Sequence, residues 1–166
     1  MTASTPDDSM RLTHTDETGQ ARMVNVGRKA STRRFAMARG VIRMRPETLE
    51  AIRTNTLQKG DALGVARVAG ILAAKRTSDM VPLCHPLQLT DVQVRCELDA
   101  DLPGVAVEAS AETTAPTGVE MEAIMAVSVT LITLFDMAKS MDKTMCIGEI
   151  CVVEKRGGKS GDWRRA

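Results

Sequence analysis

The chain has 166 residues, 43% of them hydrophobic and 26% charged, which is the composition of a globular chain that one core can organise. Its 22 Lys and Arg against 21 Asp and Glu leave a net charge of +1, which excludes the uniformly basic field of a general nucleic-acid binder. Phe35, Phe135 and Trp163 are the only aromatics, too few for a base-stacking surface, so eleven Met and many Val, Ile, Leu and Ala must fill the core.

Polar residues without apolar periodicity run over positions 1–19, so a flexible arm over 1–20 with no secretory leader is expected. One domain is expected over 21–156, followed by a glycine-rich basic tail over 157–166. Residues 23–26 read as a short strand and 35–44 as a longer, alternating one. An acid-free cationic run, Arg28, Lys29, Arg33, Arg34, Arg39 and Arg43, leads into and through the longer strand. Pro46 suits the first turn of a helix that carries Leu49, Ile52 and Leu57 and stops near Lys59-Gly60. Asp61 then caps a second helix, rich in Ala and Gly, that reaches about Arg76. Pro82 and Pro86 bracket a stiff loop, because each fixes its own φ and restricts the residue before it.

Beyond that loop the apolar period becomes two. Leu87, Leu89, Val92, Val94, Cys96 and Leu98 line one side of a strand with a bulge at Thr90-Asp91; after a turn at 101–104, Val105, Val107, Ala109 and Ala111 complete a hairpin. Pro116-Thr117-Gly118 introduces the longest helix, about 119–140, whose apolar positions include Met121, Ile124, Met125, Ser128, Ile132, Phe135 and Ala138. Its other side is apolar too, which predicts packing against a second subunit. A last strand, broken at Gly148, follows. The order is β-α-β-β-α-β, that of a ferredoxin-like α+β sandwich with an antiparallel sheet and helices on one face.

The most apolar stretch, 123–137, is about 15 residues, below the roughly 20 of a spanning helix, so no membrane partner is expected. Cys84, Cys96, Cys146 and Cys151 match neither a metal knuckle nor a disulfide framework, which predicts reduced thiols, no metal and a cytoplasmic location.

Several polar groups invite chemistry, each beside a plain structural alternative. His85, held between prolines, is either a hydrogen-bonded histidine or a proton-transfer group; His14 lies in the arm. Asp136 and Lys139 share a helix face among Phe135, Met137, Ala138 and Met141, either as a surface ion pair or as a partly desolvated catalytic one. Lys59, at a helix junction, is a lysine of the same kind. Glu120 and Met121 open the long helix, where a carboxylate suits the macrodipole. Eighteen residues separate Met121 from Lys139, five turns or roughly 27 Å, so a small ligand using both ends requires a second subunit. The segment Lys155-Arg156-Gly157-Gly158-Lys159-Ser160-Gly161 lacks the spacing of a phosphate-binding P-loop, yet it can close over a polyphosphate. An enzyme, a nucleotide-binding regulatory module without catalysis and a nucleic-acid module remain open at this point, the last disfavoured because Phe35 is the only strand aromatic.

Six segments in register then resemble one family: Lys59-Gly60-Asp61, Ala73-Ala74-Lys75-Arg76-Thr77, Pro82-Leu83-Cys84-His85-Pro86-Leu87, Gly118-Val119-Glu120-Met121-Glu122-Ala123, Asp136-Met137 with Lys139, and Gly157-Gly158-Lys159-Ser160-Gly161-Asp162. Together they resemble the molybdenum-cofactor biosynthesis protein C family, the cyclic pyranopterin monophosphate synthases, over about 23–163. The resemblance implies a lyase acting on a 3′,8-cyclised dihydroguanosine triphosphate and releasing pyrophosphate, with no cofactor. It further implies a ferredoxin-like hexamer, a trimer of dimers with sites between subunits. By the same resemblance, Leu83, Cys84, His85, Glu120 and Met121 bind substrate, and Asp136, Lys59, Lys139 and His85 are catalytic. Lys29, Arg34, Lys75, Lys155 and Lys159 lie near phosphates.

Overall fold

The computed structural model of the chain describes residues 19–166; His14 and positions 1–18 of the expected arm lie outside the described residues. Along the chain stand β1 (Thr32–Arg43), α1 (Pro46–Arg53), α2 (Ala62–Ala74), α3 (Thr77–Met80), β2 (Asp91–Asp99), β3 (Gly104–Ala115), α4 (Glu120–Ala138), β4 (Cys146–Arg156) and β5 (Trp163–Arg164). The strands form one antiparallel sheet in the order β2-β3-β1-β4-β5, the expected ferredoxin-like arrangement extended by a two-residue edge strand.

Alternation decides which face is covered. Ala36, Ala38 and Ile42 of β1, with Val105, Val107, Ala109 and Ala111 of β3, point into the core, where Ala123, Ala126, Val127, Leu131 and Leu134 of α4 meet them. Small residues set the spacing of these layers. Gly40 faces α4 so closely that an added Cβ would stand 2.8 Å from Leu131 and 2.9 Å from Val127. At the crossing of α2 on α4, a Cβ at Gly70 would collide with the Thr130 hydroxyl and the Ala126 carbonyl.

Of the apolar positions named in the sequence for α4, only Ala138 is fully buried; the rest of the core stripe lies on the other apolar side. Ala123, Ala126, Val127, Thr130, Leu131, Leu134 and Met137 are buried, whereas Met121 and Ile132 are exposed and Ile124, Met125, Ser128 and Phe135 are only half-buried. Both faces are apolar, so periodicity alone could not choose between them; the close approach of α2 and β1 selects the smaller side chains. The helix has 19 residues, longer than the expected apolar stretch, and by length and composition it could cross a membrane. Here it is a core helix against the sheet.

Other boundaries move for local reasons. Residues 23–26 form no strand, a single bridge at Ala21 lying just before them, and the Val24 carbonyl faces the His85 ring at 2.9 Å instead of a ladder partner. β2 starts only at Asp91 and its register with β3 is unbroken, so the bulge expected at Thr90-Asp91 is absent. Before it, side chains add to the last backbone bond, from the Thr90 N–H to the Glu112 carbonyl at 2.8 Å: Thr113 Oγ1 donates to the Gln88 carbonyl and Thr90 Oγ1 to that of Glu112. α1 ends at Arg53, ahead of Asn55 in the left-handed region at φ 54°. The expected break at Gly148 is instead an irregularity within a continuous β4, where Glu149 takes φ 56° and the pairing with β1 shifts. Asp61 caps α2 as expected, its carboxylate accepting the Gly64 N–H at 2.8 Å.

Candidate active site

Chemistry-bearing groups gather at the two ends of α4. At its C-terminal end Asp136 is held by two cations: Lys139 Nζ stands 2.7 Å from Oδ1, and Lys59 Nζ stands 2.6 Å from Oδ2 and 2.9 Å from the Asp136 carbonyl. Lys139 reaches Asp136 because residues three apart share a helix face. Lys59 arrives from the turn after α1, which Gly60 at φ +80° redirects into α2. A carboxylate near a helix C-terminus meets the unfavourable pole of the macrodipole, so this placement needs compensation. The hydrogen bonds from Lys139 and then Lys59 supply it and hold the Asp136 carboxyl down at about 2. All three side chains are about half exposed in the single chain, so the desolvation expected from their apolar sequence neighbours is not found. Phe135, Met137 and Ala138 turn to other sides of the helix.

At the other end a cavity of about 290 Å³ is lined by Leu83, Cys84, His85, Glu120, Met121 and Glu122, with Val24, Val26 and Lys29 closing it. The proline-bracketed loop carries the first three, and the first turn of α4 the next three. The Glu120 carboxylate folds back over Gly118, occupying the space that a side chain there would fill. Glu122 is buried, and burial, reinforced by the charge of Glu120 and opposed by a bond from its own N–H, pushes its carboxyl up to about 6. Burial raises the Cys84 thiol as well, with Glu122 adding to the shift.

Sharing Lys29, Thr117, Gly118 and Glu120 with this cavity is a larger cleft of about 1020 Å³, whose cations are Arg28, Lys29, Arg34, Lys155, Arg156 and Lys159. The glycine-rich tail forms one wall. Gly157 and Gly158 take φ of +86° and +87°, which side chains rarely adopt, and the Gly157 N–H is fastened to Asp162 Oδ1 at 2.9 Å. Lys155 Nζ is bonded to Ser160 Oγ. Arg34 is largely engaged, since Nε donates to the Ala115 carbonyl at 3.2 Å and Nη2 to that of Pro116 at 3.3 Å. It therefore fixes the turn that leads into α4 as well as lining the cleft.

The structure thus brings together Leu83, Cys84, His85, Glu120 and Met121 with Lys29, Arg34, Lys155 and Lys159, and separately Lys59, Asp136 and Lys139. Sixteen helical residues from Glu120 to Asp136 put about 24 Å between the two groups. Lys75 caps the C-terminus of α2 and lines neither cleft. Among the described residues no cluster of metal-ligating side chains occurs, and all four cysteines are free.

Glu122 was not singled out in sequence as a site residue. Its signal is positional: it lies four and eight residues before Ala126 and Thr130, in the row that α4 buries. Because its folded carboxyl titrates above the ordinary 4.5, ionising it opposes folding. Its contribution to stability falls as pH rises from about 4.5 to about 6 and stays low above that. Glu122→Gln is expected to lack this fall, so its urea midpoint relative to the native chain should be higher at pH 7 than at pH 4.5.

The description of the MoaC family matches residues 23–158, most of the chain. The chain belongs to the MoaC family. Relatives include proteins named cyclic pyranopterin monophosphate synthase from Brucella ovis, Brucella melitensis and Brucella abortus, each 58% identical over 155 residues, covering 93% of this chain and 94% of theirs. The matched MoaC region includes both ends of α4 and reaches Gly158 in the glycine-rich wall.

Proposed function

We propose that this chain is a cyclic pyranopterin monophosphate synthase of molybdenum cofactor biosynthesis, a phosphorus–oxygen lyase. It converts (8S)-3′,8-cyclo-7,8-dihydroguanosine 5′-triphosphate to cyclic pyranopterin monophosphate and pyrophosphate. The observation that carries this reading is the Lys59–Asp136–Lys139 cluster, assembled from segments 77 residues apart inside a family match that spans most of the chain.

The overall change defines what the residues must do. Turning a triphosphate into a cyclic monophosphate requires an internal hydroxyl to attack the α-phosphorus while the α–β P–O bond breaks and pyrophosphate leaves. Negative charge then grows on the departing oxygens, and fixed cations stabilise it. Lys29, Arg34, Lys155 and Lys159 around the larger cleft have the charge for this, and Lys75 joins them if a neighbouring subunit supplies it. Leu83, Cys84, His85, Glu120 and Met121 hold the ring system beside them. Lys59 and Lys139 transfer the protons of ring rearrangement, His85 assists, and Asp136 orients both ammonium groups.

The assembly is a homohexamer, a trimer of dimers with each site shared. About 24 Å along α4 keeps the lysine cluster from the ring pocket within one protomer. Val65, Val68 and Leu72 of α2 and Ile132 of α4 are exposed, as suits surfaces that another copy covers. A cytoplasmic location agrees with a free nucleotide substrate and free thiols.

Incubation with the authentic cyclised nucleotide should release one pyrophosphate per cyclic phosphate formed. Tight binding without pyrophosphate release would instead support the nucleotide-binding module without catalysis.

A further inference from the structure

Asp142 belongs to neither group of site residues, yet its carboxylate is buried at 1% exposure among several donors. Oδ2 accepts the Arg45 N–H at 2.9 Å, with the Thr48 hydroxyl 3.5 Å away. Oδ1 accepts the Thr144 N–H at 2.9 Å and the Thr144 hydroxyl at 2.7 Å, and the Arg45 guanidinium stands 3.6 Å from it. Burial opposes the charge, but the bonds from Thr144 and Arg45 outweigh it and hold the carboxyl at about 2.

These donors lie on two distant segments. Arg45 is the N-cap residue of α1 and makes no side-chain cap bond of its own, so Asp142 supplies an anion there from nearly a hundred residues away. On its own side, the Asp142 N–H bonds to the Ala138 carbonyl at 3.0 Å and that of Met141 to the same oxygen at 2.9 Å. Arg45 Nη2 also donates to the Met141 carbonyl. The last turn of α4, which carries Asp136 and Lys139, is thereby fastened to the start of α1, whose end leads to Lys59.

The Lys59–Asp136 pair joins the same two segments at the surface. A half-exposed pair that hangs on the long Lys59 side chain does not fix its own geometry, because holding the lysine costs side-chain entropy and water screens the attraction. A buried node with directed donors does fix it. We propose that Asp142 is a positioning residue, setting the start of α1 against the end of α4 so that Lys59 and Lys139 stay on the two oxygens of Asp136.

This rests on the active-site role proposed above for that cluster. The test uses the full chain with Asp142→Asn, which keeps the shape and exchanges one acceptor for a donor facing other donors. The Asp136 carboxyl is followed by ¹³C NMR titration, and pyrophosphate release is measured in parallel. Asp136 should titrate above its native value of about 2, and kcat should fall about tenfold while KM for the nucleotide stays within about twofold. Lower thermal stability with the Asp136 titration unchanged would assign Asp142 to the fold alone and overturn the proposal, whereas a shifted Asp136 with full kcat would uphold the positioning and overturn the active-site role of the cluster. Should Asp142→Asn not fold, Thr144→Val removes one donor to the same carboxylate and is judged by the same two readouts. If the native chain releases no pyrophosphate, the proposed function fails, and the Asp136 titration alone still decides whether Asp142 positions the cluster.

Discussion

Turnover of Lys59→Ala is expected to fall by about 10²–10⁴-fold, and that of Lys139→Ala by a similar factor, the usual effect of deleting a proton-transfer group. Their thermal midpoints should change little, because both ammonium groups lie at the surface and exposed ion pairs contribute little to folding. The structure makes the prediction sharper than the sequence does. Each lysine bonds a different oxygen of Asp136, so removing either leaves the carboxylate with one cation near the unfavourable pole of α4. The Asp136 carboxyl should then titrate above about 2, a change visible by NMR whether or not substrate is present. Lys59→Arg separates charge from proton transfer: a guanidinium keeps the pairing with Asp136 but does not give up its proton at neutral pH. If Lys59 transfers a proton, Lys59→Arg stays nearly as slow as Lys59→Ala. Recovery of turnover in Lys59→Arg would make Lys59 an electrostatic anchor only.

How far the residues alone reveal this protein varies along the chain, for physical reasons. The hairpin of β2 and β3 was readable because strict alternation leaves one register, and Asp99 and Gly104 shape the turn: Asp99 accepts two backbone N–H groups there, and any side chain at Gly104 would strike the Ile42 carbonyl. The cap at Asp61 and the turn at Gly60 were readable from local chemistry. The core face of α4 was not, since both sides are apolar and the choice falls to the close contacts at Gly40 and Gly70 in other elements. The strand expected at 23–26 was lost to a contact between Val24 and His85, 61 positions apart, which no local pattern encodes. In the site, Asp136 with Lys139 could be read from helical spacing, but Lys59 joins them only through the fold. Asp142 offered only the local Asp-x-Thr turn that Thr144 completes, because its other donors, Arg45 and Thr48, are distant in sequence.

Mixing two inactive variants should restore activity, and the recovered amount is calculable. One partner carries Glu120→Ala, which damages the pocket at the start of α4, and the other carries Lys139→Ala, which damages the cluster at its end. Within one protomer these ends are about 24 Å apart, so a site that uses both must take the start from one chain and the end from another. A two-fold axis that sets the start of one α4 against the end of its partner's creates two such sites per pair. In a pair that contains one chain of each variant, one site receives both lesions and the other receives neither. Random exchange of equal amounts makes half of the pairs mixed, so about a quarter of all sites should be intact and turnover should recover to about a quarter of the native value. Each variant assembled alone should remain inactive at any concentration. The mixture must be shown by native mass measurement to contain hetero-oligomers, since unmixed assemblies would be silent under either arrangement. Verified mixed assemblies without recovery would place every group of a site on one chain, and the 24 Å along α4 would then have to be closed by a rearrangement within the protomer.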